Sequence, residues 1–264
     1  MTTGPFHPTA FLYEERGPIA RLTLNRPEVL NALTFDTYTQ MRDLFAALPG
    51  RPHVRVVILK GAGRAFCTGG DVKEIIGRLQ GASDEDLLDF TRLTCDTVLK
   101  MREAPQMIIA SLHGVTAGAG AALALASDFR IISDNARIAF LFVKVGLAGA
   151  DMGVAHLLPR FVGFGRAMEL LMRGEFVDAR TAEQWGLVHR VVPAADLENE
   201  TSVWAESLAA GPYEGMRTTK ALLNLTFGFD LAEILDVEAL AQAICIKSPD
   251  FGEAYRAFLE KRRP

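Results

Sequence analysis

The feature that most constrains this chain is a pattern used twice, an apolar run long enough for one buried strand followed at once by a glycine-rich corner. Val56-Val57-Ile58-Leu59 is continuous and apolar, as expected of a strand covered on both faces, and Gly61 and Gly63 follow it. Met107–Leu112 repeats the pattern, with Gly114 and the small-residue stretch Thr116–Ser127 behind it. Ile19–Leu24 instead alternates, with Ala20, Leu22 and Leu24 on one face, and stops at Asn25-Arg26-Pro27. Thr34 then reads as the N-cap of a helix carrying Tyr38, Met41, Leu44, Phe45 and Leu48 at helical spacing, closed by Pro49-Gly50. Phe129–Ile132 and Val188–Val192 read as two further short strands. Strands alternating with helices predict parallel pairing through right-handed crossovers, so the core is α/β.

After Pro193 the character changes. Asp196–Ala210, Pro212–Asn224, Asp230–Ile246 and Asp250–Lys261 all read as helices, which predicts an α/β core over 1–193 and a helical region over 194–264. The apolar stripe of the third of these (Leu231, Ile234, Leu235, Val237, Leu240, Ile244) exceeds what a lone surface helix needs. It serves either the region's own core or a subunit interface.

A chain of 264 residues, 49% hydrophobic and 23% charged, has the balance of an ordinary globular protein with a sizeable core. A formal net charge of −4 carries no electrostatic footprint for nucleic acid. Cys67, Cys95 and Cys245 are odd in number, far apart and without C-x-x-C or Cys/His spacing, which predicts no metal and a reducing, cytoplasmic setting. No secretory pattern opens the chain and no run of apolar residues reaches membrane-spanning length, so no membrane association is expected.

The two corners carry the chemistry. Gly61-Ala62-Gly63-Arg64-Ala65-Phe66-Cys67-Thr68-Gly69-Gly70-Asp71 lets the backbone turn with positive φ and lets a ligand approach the chain closely. His113-Gly114-Val115-Thr116-Ala117-Gly118-Ala119-Gly120 opens an alanine-rich helix, whose first N–H groups and positive dipole end are free. Two such corners on neighbouring strands can aim two backbone N–H groups at one oxygen, as an oxyanion hole requires. Each corner alone is also compatible with an ordinary tight turn. Neither matches a phosphate loop or a dinucleotide fingerprint.

Taken with their flanks, the corners resemble the crotonase (enoyl-CoA hydratase/isomerase) superfamily. The resemblance is carried by Asn25-Arg26-Pro27 with Asn31-Ala32-Leu33, Ala65 to Asp71, His113-Gly114 through Gly120, and Ser127-Asp128. It continues through Val145-Gly146-Leu147, Leu157-Leu158-Pro159-Arg160 with Gly163, and Ala182 to Val188. It implies a crotonase-like repeated ββα core with a C-terminal helical trimerisation region, hence a homotrimer or homohexamer. It also implies an acyl-CoA thioester as substrate, with no cofactor beyond the coenzyme A of that substrate. The implied oxyanion donors are the N–H groups of Gly70 and Ala119. Ala65, Asp71, Val72, Lys73 and Phe142 join them as implied substrate contacts.

The chain departs from the family at a telling place. Family hydratases use two glutamates to handle water, and the corresponding positions here are Ala122 and Phe142, neither of which can transfer a proton. Asp151 is the remaining carboxylate between Asn135 and Met168, in the glycine-broken loop where other family members place a catalytic aspartate. It reads either as the acid/base group or as a plain helix cap. His156 is a second candidate base, His113 a structural corner residue, and Cys67 a packing residue. The implied activity is that of an acyl-CoA lyase or isomerase, enoyl-CoA hydratase-like first and double-bond isomerase next. The alternatives are thioester hydrolysis or C–C cleavage on the same platform, or an acyl-CoA-binding subunit without chemistry.

Overall fold

The computed structural model describes residues 6–262. Strand β1 (Leu12–Arg16) turns at Gly17 into the antiparallel β2 (Ile19–Leu24). Helix α1 (Phe35–Ala47) follows, its Thr34 N-cap held in a reciprocal capping box with Thr37, as the sequence predicts. Strand β3 (Val56–Gly61) leads through the first corner to a wide helical turn, Val72–Ile76, and the short α2 (Gly77–Leu79). Helix α3 (Asp84–Glu103), β4 (Met107–Leu112), β5 (Val115–Ala117) and α4 (Ala119–Ala126) come next, then β6 (Phe129–Ser133) and β7 (Arg137–Ala139). The chain continues through α5 (Val154–Val162), α6 (Phe164–Arg173), β8 (Val177–Asp178), α7 (Ala179–Gln184), β9 (Arg190–Val192) and α8 (Leu197–Ala210). Helices α9 (Tyr213–Leu225), α10 (Leu231–Ile246) and α11 (Pro249–Leu259) close it.

The chain forms two compact units, Met1–Ala205 and Glu206–Pro264. The division falls inside α8, whereas the strand pattern of the sequence ends at 193/194. The first half of α8 belongs to the sheet unit by contact: Thr201 hydrogen-bonds Ser111 of β4 at 3.0 Å and Lys60 of β3 pairs with Glu198 at 2.7 Å.

In the first unit the main sheet runs β1-β2-β3-β4-β6-β9, parallel from β2 onward. Strands β3 and β4 are buried along nearly their whole length, which is why they read as unbroken apolar runs. A second, three-stranded sheet, β5-β7-β8, holds the short strands that follow the second corner and its neighbour. Helix α4 is buried at every position, so its Ala/Gly sequence is that of a helix packed on all sides.

Several elements carry too faint a sequence pattern to be expected from it, β1, β5, β7, β8 and α3 among them. β1 is an edge strand with an alternating exposed pattern, and β5, β7 and β8 have two or three residues each. Helix α3, twenty residues long, buries a narrow stripe (Thr94, Thr97, Val98, Met101) that is half threonine, so its apolar period is faint. The strand expected over Val188–Val192 is shorter at its start, because the Leu187 and Val188 N–H groups turn back onto the Ala182 carbonyl.

In the second unit, Asp230 and Glu233 form a capping box at the start of α10, and the Asp250 carboxylate of α11 accepts from the Glu214 N–H of α9 at 3.1 Å. No helix among the described residues is long and apolar enough to cross a membrane.

Candidate active site

The first corner is held from two sides. The N–H groups of Phe66 and Cys67 donate to His113 and Val115, and Ala117 donates back to the Cys67 carbonyl, which lays the corner parallel to β5. On the other side Thr68 donates to Leu30, Leu33 to the Gly69 carbonyl, and Asp71 to Leu33. The Gly69 N–H reaches the Cys67 sulfur at 3.4 Å. Gly70 is left: its N–H has no acceptor among the described residues. Because the Gly69 carbonyl and the Gly70 N–H belong to one trans peptide, they point in opposite directions. The carbonyl faces Leu33, so the N–H faces the side on which β5 and the start of α4 lie.

Ala119 opens α4, and its N–H likewise has no acceptor among the described residues, the first intrahelical bond being Ala122 N–H to the Gly118 carbonyl. The corners touch: a Cβ on Gly69 would sit 3.4 Å from the Ala119 nitrogen and 3.6 Å from the Gly118 Cα. Gly118 makes this turn at φ 52°, ψ −124°, a backbone region open essentially to glycine. Gly120 lets α4 press on the corner, since a Cβ there would be 2.5 Å from the Cys67 carbonyl oxygen.

The motif residues around the corners are its scaffold. Asn31, buried at φ 57°, accepts from the Arg26 N–H and donates to the carbonyls of Ala62 and Ala65. Asp71 caps the turn at Val72–Ile76 by accepting from the Lys73 and Glu74 N–H groups, and pairs with Arg26 at 3.0 Å. These hydrogen bonds, led by that from Glu74, hold its carboxyl below the usual range. Of the substrate-contact stretch, then, the Asp71 side chain is engaged within the protein and the Ala65 side chain is buried, while Val72 and Lys73 are exposed. Phe142 is buried in the 3₁₀ turn Leu141–Val145, and Ala122 is buried one turn into α4.

Asp151 is not the cap of α5. That helix is capped by Gly153 without a side-chain bond, and the Asp151 carboxylate accepts instead from the neighbouring Met152 N–H at 2.7 Å. Met152 adopts φ 50°, uncommon for a long side chain and a form of local strain found where geometry matters. The second carboxylate oxygen of Asp151 has no protein partner among the described residues, and burial pushes the Asp151 pKa above the ordinary carboxylate value. His156 lies on the exposed face of α5. The His113 ring nitrogen donates to the Gly63 carbonyl at 3.0 Å, bracing one corner on the other. Cys67 is fully buried, and burial raises its thiol to about 12, which keeps it from serving as a nucleophile.

Sequence reading missed Tyr38, placed in the apolar stripe of α1. The residue is 2% exposed, yet its hydroxyl lies 3.9 Å from where a Cβ on Gly70 would be. The signal was available: a tyrosine inside an otherwise apolar stripe brings a hydroxyl that needs a partner. A surface cavity of about 460 Å³ bounded by Lys60, Arg64, His113 and Glu198 shares none of Gly70, Ala119 or Asp151. Among the described residues no group of His, Cys, Asp and Glu is placed to hold a metal.

Residues 14–264 match the enoyl-CoA hydratase/isomerase family. The 1,2-epoxyphenylacetyl-CoA isomerase of Escherichia coli K12 is 34% identical over 95% of this chain and 95% of its own. The trans-2-decenoyl-[acyl-carrier-protein] isomerase of Streptococcus mutans is 31% identical over 96% of both. A crystal structure of a candidate enoyl-CoA hydratase from Streptomyces coelicolor A3(2) superposes with a TM-score of 0.97 at 44% identity, over all of this chain and 96% of that one. With the fold, the paired corners and the whole-length likeness in agreement, this chain belongs to the enoyl-CoA hydratase/isomerase (crotonase) family and is an enzyme of that family.

Proposed function

We propose that the enzyme moves a double bond along the acyl chain of an acyl-CoA thioester. The observation that supports this reading is that the Gly70 and Ala119 N–H groups, neither with an acceptor among the described residues, lie on corners that touch, and that the partly buried Asp151 carboxylate is within electrostatic reach of Tyr38 beside Gly70. In this reading both N–H groups donate to the thioester oxygen. The Asp151 carboxylate removes a proton from the acyl chain, the C–H electron pair delocalises into the thioester as an enolate, and the same proton is returned to another carbon. No water, metal or redox partner enters the balance. Each backbone donor to such an oxyanion is worth about 3–4 kcal/mol in the transition state.

Isomerisation is favoured over hydration because the two positions for water-handling glutamates hold Ala122 and Phe142, both buried and apolar. Incubation with 2-enoyl and 3-enoyl thioesters followed by mass spectrometry tests this. A product of unchanged mass whose conjugated-enoyl absorbance has changed supports isomerisation. Gain of one water identifies a hydratase, release of free CoA thiol a hydrolase, and no conversion of any thioester a binding subunit.

The coenzyme A part is assigned to the exposed Val72 and Lys73, and no cofactor beyond it is invoked. We place the enzyme in a reducing cytoplasm, which suits its free cysteines. We also assign it a homotrimer or homohexamer, supported by the large apolar side chains exposed on a single chain, Leu231 and Phe258 in one unit and Phe164 and Met172 in the other.

A further inference from the structure

Tyr38 differs from the rest of the α1 stripe. Met41, Leu44, Phe45 and Leu48 are apolar and need nothing but packing, whereas Tyr38 carries a hydroxyl into the interior. The ring is fixed on one side by Phe90, edge-on with centroids 5.9 Å apart, and the helix by the capping box at Thr34. Its hydroxyl makes no hydrogen bond among the described residues and, in a residue 2% exposed, is the atom that keeps contact with solvent, so it opens onto the site and not into sealed core. It ends beside Gly70, where the side-chain direction of that glycine is bounded by Tyr38 Oη at 3.9 Å and Ile75 Cδ1 at 3.4 Å. Two polar groups without protein partners among the described residues therefore lie side by side, the Gly70 N–H and the Tyr38 hydroxyl, and the Asp151 carboxylate is close enough to act on Tyr38 electrostatically.

We propose that Tyr38 is a catalytic residue whose hydroxyl donates a third hydrogen bond to the thioester oxygen as it becomes an enolate, beside the Gly70 and Ala119 N–H groups. The proposal rests on the oxyanion reading above. A phenol suits the task because it is a strong neutral donor. Burial first, then the neighbouring Cys67 and Asp151, push its pKa well above the ordinary value, so the proton stays on oxygen throughout the working pH range. The charged acceptor that suits this unpartnered donor exists only while the enolate does.

The probe is acetoacetyl-CoA, whose enolate forms readily and absorbs in the near ultraviolet, with butyryl-CoA as a thioester that forms none under the same conditions. Wild-type enzyme should bind acetoacetyl-CoA as the enolate. Tyr38→Phe should weaken that binding by about 10-fold or more, the loss of one hydrogen bond to a charged acceptor. Affinity for butyryl-CoA and the unfolding temperature should be unchanged or higher, and kcat should fall with KM nearly constant. Equal enolate binding by wild type and Tyr38→Phe overturns the role of Tyr38 and leaves the oxyanion reading standing. Absence of the enolate band in wild type overturns both. A lower unfolding temperature in Tyr38→Phe would show that the hydroxyl serves the fold, which also overturns the proposal.

Discussion

Asp151 is the acid/base group of the proposed reaction, and burial makes its behaviour distinctive. An acid whose pKa rises on folding holds more protons folded than unfolded between its ordinary value, about 3.9, and the raised one. Stability is therefore lost as pH rises through that window, and the full cost is present at neutral pH. Asp151→Asn removes it, so we expect an unfolding temperature at pH 7 equal to or above wild type, with no advantage at pH 3. Turnover should fall about 10²–10⁴-fold with acyl-CoA affinity preserved. The acid limb of the wild-type kcat/KM profile should lie above the ordinary carboxylate range. Unchanged turnover in this variant would remove Asp151 from the mechanism.

At the scale of the element, the proposed oxyanion site depends on α4. Its N-terminus supplies the Ala119 N–H, and Gly118 sets the entry angle at φ 52°, ψ −124° with nothing closer than 3.6 Å to block a methyl group. Gly118→Ala is thus a test of backbone conformation without steric clash. It should cost about 1–3 kcal/mol in denaturant unfolding and at least 10-fold in kcat, because relaxing the strain swings the Ala119 N–H. Wild-type turnover would separate this N–H from catalysis. The other end of α4 is held by Arg130, fully buried, which donates to the carbonyls of Ala124, Leu125 and Ser127 and, through Nε, to Leu187, while stacking on Phe161 at 4.4 Å. Burial, offset by Asp128, lowers its pKa to about 10. Arg130→Met would remove the partner of the Leu125, Ser127 and Leu187 carbonyls, and urea unfolding should show a loss of about 3 kcal/mol or more.

For the whole molecule the open question is what covers the apolar side chains of the single chain. On α10 and α11, Leu231 is 72% and Phe258 79% exposed, and on α6 Phe164, Met168 and Met172 recur at one-turn spacing on the exposed side. Isolated exposed leucines are ordinary, but stripes of this kind mark interfaces. Light scattering at micromolar concentration should give three or six times the single-chain mass. A monomer would withdraw the assembly and with it the assignment of these stripes.

Much of this was legible in the residues themselves. Unbroken apolar runs declared β3 and β4, because parallel strands buried on both faces tolerate nothing else, and Thr34 declared a helix start through capping chemistry. The two glycine corners announced themselves because only glycine permits their turns and contacts. What sequence could not supply was spacing in three dimensions. That Gly69 lies against Ala119, that Asp71 is held by Arg26 and that Tyr38 ends beside Gly70 all depend on chain segments far apart in sequence. Local chemistry determined which strands and helices could form and where the backbone could bend. Only the packing of α1, α4 and the two corners against one another decided which polar groups would be left without partners, and a hydrogen bond is satisfied or left open by position, not by residue type.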